Sequence, residues 1–314
     1  MTIGILSTSS IAPRFIAAVR EEGSFEVVAL SSRTLEKAEE KAKQWNIPRA
    51  YGSHEQLLAD KDVDIVYISA VNSAHYKWAK AALEAGKHVI CEKPCTTTEA
   101  QTRELFALAK EKGLFLMEAQ KMLFLPAVQA VKAAIDSGKL GKVRIAEFNH
   151  SFYGSYNNWM YDEAMGGGPL LSSAIYVIEL LQYLFDCNVA QMDGICTKHP
   201  GTNVEEQYVI SGRMENGVLF SLKNSTVALM QNGACLYGEA GYAQLPDYWK
   251  ARKVIFCDHK ETVEEAYPCD HELVYEVEHI ARCFREGRGE SPVVTGEFSA
   301  RAIRALEQMK AKWN

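Results

Sequence analysis

The run Lys87-His88-Val89-Ile90-Cys91 ends in Glu92-Lys93-Pro94. A lysine placed where a buried strand of an α/β sheet gives out lies at the edge where such sheets bind ligands. Its ammonium can orient a substrate hydroxyl and, if desolvated, can exchange a proton near neutral pH. The alternative is a strand that simply ends in solvated charge. The order of elements around it decides between the two.

Apolar runs at Ile3–Leu6, Phe25–Leu30, Asp64–Ala70, Val89–Cys91 and Leu114–Met117 alternate with stretches of helical spacing at Ile11–Arg20, Thr34–Trp45, His75–Ala85 and Thr98–Lys112. Thr34 and Ser53 stand at helix-capping positions, and Gly86 and Gly113 at helix ends. This βαβα order implies a mainly parallel sheet with helices on both faces. Near-continuous apolar strands such as Ile65-Val66-Tyr67-Ile68 fit burial on both sides. On that map Ser7–Ser10, Ser31–Arg33, Ala70–Asn72 and Glu92–Pro94 gather along one edge.

The turn after the first strand reads Ser7-Thr8-Ser9-Ser10-Ile11-Ala12. A dinucleotide fold usually places glycines there, so that backbone amides approach a pyrophosphate at a helix N-terminus. Serine is compact and its hydroxyl can serve phosphate, but its Cβ makes a left-handed turn less comfortable. After the second strand stands Ser31-Ser32-Arg33 rather than the acidic residue of an NAD site. Arginine with hydroxyl neighbours suits a 2′-phosphate, which favours NADP over NAD; the alternative is a solvated residue at a helix start. His75 reads as a helix-start residue near the cofactor edge.

The second half has another rhythm. Pro126–Ser137 and Leu170–Leu184 have helical character, and Val143–Phe152 is a long extended run. Strand-like segments follow at Gln207–Met214, Val218–Thr226, Ala234–Tyr237 and Lys253–Cys257, with Asn216-Gly217 as a hairpin signal. Helices are expected at His271–Arg285 and Glu297–Trp313. The expected architecture is α/β: a Rossmann domain over 1–119, then an α+β domain over 120–314 with an open, mostly antiparallel sheet. The C-terminal helices are free to pack back on the first domain.

The chain of 314 residues is ample for two domains, and its 47% hydrophobic and 24% charged composition is that of a globular protein. A formal charge of −6 argues against a nucleic-acid partner. No stretch reads as a membrane span or signal peptide. Eight scattered cysteines without Cys-x-x-Cys pairs point to reduced thiols in the cytoplasm and to no metal site. Cys91 reads as a small buried strand residue.

Together these residues resemble the Gfo/Idh/MocA oxidoreductases. The resemblance rests on Ala85-Gly86-Lys87-His88-Val89 leading to Glu92-Lys93-Pro94, supported by Tyr51-Gly52-Ser53, Met117-Glu118-Ala119, Gly138–Val143 and Gly166-Gly167-Gly168. Within that family the chain is most similar to the dimeric dihydrodiol dehydrogenase branch. The resemblance implies NAD(P)-linked oxidation or reduction of a sugar, polyol or diol, and a homodimer or higher oligomer built on the open sheet. It implies that Lys93 contacts the substrate hydroxyl and nicotinamide ribose, with Glu92, Ser7, Thr8, Ser9, Ser10, Ile11, Ser32, Arg33, Ala70, Val71, Asn72 and His75 around the cofactor.

This sequence departs from the family pattern at several points. Serines replace the first-turn glycines at positions 7 and 9, Val71 replaces a proline, and Leu123 an arginine. The family's acidic residue after the three glycines is Ser172, with Tyr176 four residues later, about one helical turn away. Tyr176 is the expected proton donor if a neighbour such as Lys93 lowers its pKa; otherwise it packs in the core. Trp159, in the aromatic cluster Phe152–Tyr161, is an expected substrate contact with Ser172 and Tyr176, or part of a loop wrapping an interface. The competing reading is a non-catalytic nucleotide sensor on the same fold.

Overall fold

The computed structural model describes residues 1–152 and 158–313, and it divides into two compact units. The first comprises Met1–Gln120 and His271–Ala300, the second Lys121–Asp270 and Arg301–Asn314.

In the first unit the chain runs β1 (Thr2–Leu6), α1 (Ala12–Glu22), β2 (Glu26–Ser31), α2 (Leu35–Trp45), β3 (Arg49–Tyr51), α3 (His54–Ala59), β4 (Ile65–Ile68), α4 (His75–Glu84), β5 (His88–Glu92), α5 (Glu99–Lys112) and β6 (Leu116–Ala119). Its six-stranded sheet has the order β3-β2-β1-β4-β5-β6, and every neighbouring pair is parallel. The order reverses between β1 and β4, which opens a crevice at their C-terminal ends. Ile65, Val66, Tyr67 and Ile68 are all buried, as a strand covered on both faces requires. The Thr34, Ser53 and Thr98 hydroxyls accept from Lys37, Gln56 and Gln101 N–H and so fix three helix starts.

The second unit contains α6 (Pro126–Asp136), β7 (Val143–Ser151), α7 (Ile175–Phe185), β8 (Val189–Lys198), β9 (Glu205–Met214), β10 (Leu219–Ser225), β11 (Gly233–Gly238), β12 (Gly241–Pro246), β13 (Lys253–Asp258) and β14 (Thr262–Ala266). They build an eight-stranded sheet, β14-β13-β12-β11-β7-β10-β9-β8, antiparallel except for β7 with β10. The Asn216-Gly217 turn joins β9 to β10, with Gly217 at φ +91. The strands β8, β12 and β14 were not legible as strands. β8 carries Gln, Asp, Thr and Lys, and β14 lies at the sheet edge and is mostly exposed, so neither shows a buried apolar run. Two further helices, α8 (Val274–Arg285) and α9 (Gly296–Trp313), close the chain.

The expectation of no stretch apolar enough for a membrane needs correction. Glu163–Phe185 passes by length and composition, yet most of it is buried inside the protein, so it is a core helix. Its opening, Leu170–Ala174, is a π-helical turn that leads into α7.

Candidate active site

The first unit holds the backbone around Lys93 at three points. β5 buries Val89, Ile90 and Cys91 completely and emerges at half-buried Glu92 and Lys93. The Tyr67 hydroxyl, from β4, donates to the Glu92 carboxylate at 2.5 Å, and its ring stacks on Phe15 at 3.7 Å. Glu118, on β6, accepts from the Cys95 N–H at 2.9 Å. His75, at the start of α4, places Nδ1 2.8 Å from the Pro94 carbonyl and Nε2 2.9 Å from that of Ala70. Burial pushes the His75 pKa down, so the neutral ring donates to one of these carbonyls at a time. The Lys93–Pro94 peptide is cis. A side chain supported this way sits on rigid backbone, as a positioned catalytic group needs.

The first turn follows β1. Ser7 lies in the left-handed region at φ 93, and its N–H donates to the Ser31 carbonyl at 3.1 Å. Ser7 therefore makes the turn that glycine usually makes, at a steric cost of about 1–2 kcal/mol. Ser9 Oγ donates to Ser69 Oγ at 2.8 Å, bridging the ends of β1 and β4 at the crevice. No side chain caps the start of α1: the Ala12 N–H donates to the Ser9 carbonyl at 3.3 Å, Pro13 has no N–H, and the Arg14 N–H donates to the Ile11 carbonyl at 3.0 Å. The turn's hydroxyls, beside the positive end of the α1 dipole, suit the pyrophosphate of a dinucleotide. Thr8 and Ile11 are half-buried beside them and Ser10 is exposed.

Ser32 is buried and Arg33 exposed at the end of β2, so the guanidinium is open to a phosphate at the rim. Ser31 Oγ lies 2.8 Å from His54 Nδ1, and burial lowers the His54 pKa. Ala70 and Val71 are half-buried, and Asn72 is buried in a 3-10 turn before α4. Every residue expected around the cofactor thus belongs to the first unit.

The expected substrate residues belong to the second. Tyr176 is 8% exposed in the first turn of α7. Ser172, in the π turn, donates from Oγ to the Gly168 carbonyl at 2.9 Å. The buried Glu205 carboxylate accepts from the Leu170 N–H at 2.8 Å. A Cβ on Gly168, where φ is +105, would lie 2.3 Å from Glu205 Oε1, so only glycine fits. Burial raises the Glu205 pKa. This carboxylate sets the path of the chain into Ser172 and Tyr176. Trp159 is half-buried in a 3-10 turn, and the Tyr161 hydroxyl donates to Thr226 Oγ1 at 3.2 Å. Tyr153 and Tyr156 of the aromatic cluster lie outside the described residues.

His150, which showed no partner in the sequence, packs against Phe152 at 4.2 Å and against two further aromatics. Tyr248 Oη lies 3.0 Å from its Nδ1, and the Trp249 ring stacks on it at 4.0 Å. Tyr67, Ser69, Glu118 and Glu205 were also missed. For Tyr67 a signal existed: a tyrosine inside a wholly apolar strand must find a hydroxyl partner. Among the described residues no group of three His, Cys, Asp or Glu side chains is placed to hold a metal.

The family model "Oxidoreductase family, NAD-binding Rossmann fold" matches residues 1–120, and the GFO/IDH/MocA C-terminal domain matches 128–244. The mouse (Mus musculus) trans-1,2-dihydrobenzene-1,2-diol dehydrogenase is 32% identical, covering 98% of this chain and 95% of the relative. The chain belongs to the Gfo/Idh/MocA oxidoreductase family. The human (Homo sapiens) protein of the same name is 30% identical, again over 98% of this chain and 95% of the relative. Among solved structures, the 3-ketoreductase KijD10 from Actinomadura kijaniata, in complex with NADP and TDP-benzene, superposes with a TM-score of 0.90. It is 23% identical, with 99% of this chain and 97% of that one covered. Levoglucosan dehydrogenase, in complex with NADH and levoglucosan, gives a TM-score of 0.88 at 18% identity, with 100% and 98% covered.

Proposed function

We propose that this chain is an NAD(P)-dependent dehydrogenase or reductase that moves a hydride between nicotinamide and the hydroxyl-bearing carbon of a sugar, polyol or diol. NADP is the favoured cofactor. The observation that carries the reading is the three-point support of the Lys93 segment at the ligand edge of a Rossmann sheet. The serine turn and the start of α1 would hold the pyrophosphate, and Ser32 and Arg33 a 2′-phosphate. When bound, nicotinamide supplies the hydride acceptor or donor.

In the oxidative direction the carbinol C–H bond breaks with its electron pair leaving as hydride, the C=O double bond forms, and the hydroxyl proton must leave. Lys93 orients the hydroxyl oxygen. Tyr176 takes the proton in oxidation and returns it in reduction, which requires a neighbouring positive charge to lower its pKa. Ser172 and Trp159 contact the substrate.

The outer face of the second sheet supports a homodimer. The register aligns Leu219, Ile145, Tyr237 and Tyr242 across β10, β7, β11 and β12, and the first three are 51%, 43% and 38% exposed. Eight free cysteines fit a reducing, cytoplasmic setting.

The test is a panel of trans-dihydrodiols, aldoses and polyols assayed by nicotinamide absorbance with NADP and NAD. Turnover of at least one class with a preference for NADP is expected. Tight cofactor binding without turnover of any of them would favour the sensor reading instead.

A further inference from the structure

A cleft of about 800 Å³ opens in the first unit at the opposite edge of the sheet from Lys93. It lies at the N-terminal ends of β5 and β6, against α5, the end of α8 and the start of α9. β5 alone spans roughly 15 Å between the two edges, so the cleft is no part of the cofactor crevice. Its volume is that of a small-molecule site.

The floor is aromatic. Phe115 packs on Phe284 at 4.8 Å, His88 meets Phe284 edge-on at 5.1 Å, and Phe106 lines the wall. His88 accepts the Phe115 N–H at Nδ1 (2.9 Å), and burial lowers its pKa, so it enters this floor as a neutral ring.

The rim is cationic: Arg103, Lys110 and Arg288. Arg103 is paired with Glu297 at 2.5 Å and Arg288 with Glu286 at 2.5 Å. The other lining acid, Glu290, accepts from the Gly296 N–H. Among the described residues Lys110 enters no ion pair, and it remains the cation available to an incoming anion. Gly113, Gly287 and Gly289 leave the walls bare, and a Cβ on any of them would meet nothing within 4 Å.

We infer that this cleft is a second binding site, for a planar aromatic monocarboxylate whose ring packs against the tilted Phe115–Phe284 pair and whose carboxylate pairs with Lys110. The inference is independent of the active-site reading, because neither the cofactor turn nor Lys93 lines the cleft.

The test is calorimetric titration of 1-naphthoate into the full chain saturated with NADP. Saturable one-to-one binding is expected. It should weaken at least about tenfold in Lys110→Glu, which removes the ammonium, and in Gly289→Leu, which fills the cleft; Gly289 lies outside the left-handed region, so the backbone accepts the side chain. 1-Naphthamide, the uncharged isostere, should bind correspondingly more weakly. No saturable binding, binding unchanged in both variants, or equal binding of the amide would overturn the assignment. Each outcome is read with the cofactor crevice filled, so failure of the catalytic reading would leave the result distinct.

Discussion

The Tyr67 hydroxyl reaches the Glu92 carboxylate at 2.5 Å, and Glu92 is the immediate neighbour of Lys93. Tyr67 is wholly buried, so a core side chain holds the segment that carries Lys93. Tyr67→Phe removes the donor and leaves the carboxylate short of a partner. Stability should fall by about 1–3 kcal/mol. The turnover number should fall by roughly tenfold, about 1.4 kcal/mol of activation free energy, with NADP affinity retained. Denaturant melts and steady-state kinetics check both; wild-type turnover would remove Glu92 from the support of Lys93.

Arg33 separates the two cofactors. If its guanidinium holds a 2′-phosphate, Arg33→Ala should weaken NADP by roughly 10- to 100-fold, the value of a charge-assisted pair. NAD should hardly change. Fluorescence titration with the two reduced cofactors measures the pair, and an equal loss for both would refute the 2′-phosphate assignment.

Much of the first unit was legible in the sequence because its strands are buried on both faces and its helices carry local caps. Thr34, Ser53, Thr98 and Gly113 marked helix ends within a residue or two of where the structure has them. The supports of Lys93 were not legible. Tyr67 and Glu92 lie 25 residues apart and meet only because β4 and β5 are adjacent. Glu205 and Leu170 are 35 apart and meet through tertiary packing. The π turn at Leu170–Ala174 also escaped detection, since apolar periodicity over five residues does not distinguish it from α-helix.

His279 should make the protein acid-sensitive. Burial and the nearby Arg282 guanidinium push its pKa down to about 4. Arg282 donates to Nδ1 at 3.1 Å, and Nε2–H donates to Ser291 Oγ at 2.8 Å, an arrangement that only the neutral ring sustains. The folded pKa is depressed below the unfolded value of about 6.5. The contribution of the neutral ring is therefore fully present above that value and is lost as pH falls toward about 4. The melting temperature should decline over this window, and less steeply in His279→Gln. Identical slopes in the two proteins would show that His279 has no part in it.

Glu205 carries the opposite sign. Burial raises its carboxyl pKa, so the folded state prefers the protonated form and loses stability as pH rises from the ordinary carboxylate range through the raised value. Glu205→Gln keeps an acceptor for the Leu170 N–H and removes the charge. It should be at least as stable as the wild type at pH 7. Gly168→Ala, by contrast, drives a Cβ into the carboxylate and should cost more than about 1 kcal/mol. Thermal melts at pH 5 and pH 7 test both variants, and a tolerant Gly168→Ala would deny Glu205 its place in shaping the Ser172–Tyr176 segment.

The central claim is that the Lys93 ammonium acts in hydride transfer rather than in cofactor binding or folding. The direct measurement is the single-turnover rate of nicotinamide absorbance change in Lys93→Met, with cofactor saturating and its affinity taken from nicotinamide fluorescence. The expected result is a rate lowered by at least about 100-fold with cofactor affinity close to the wild type. A hydride-transfer rate equal to that of the wild type would contradict it.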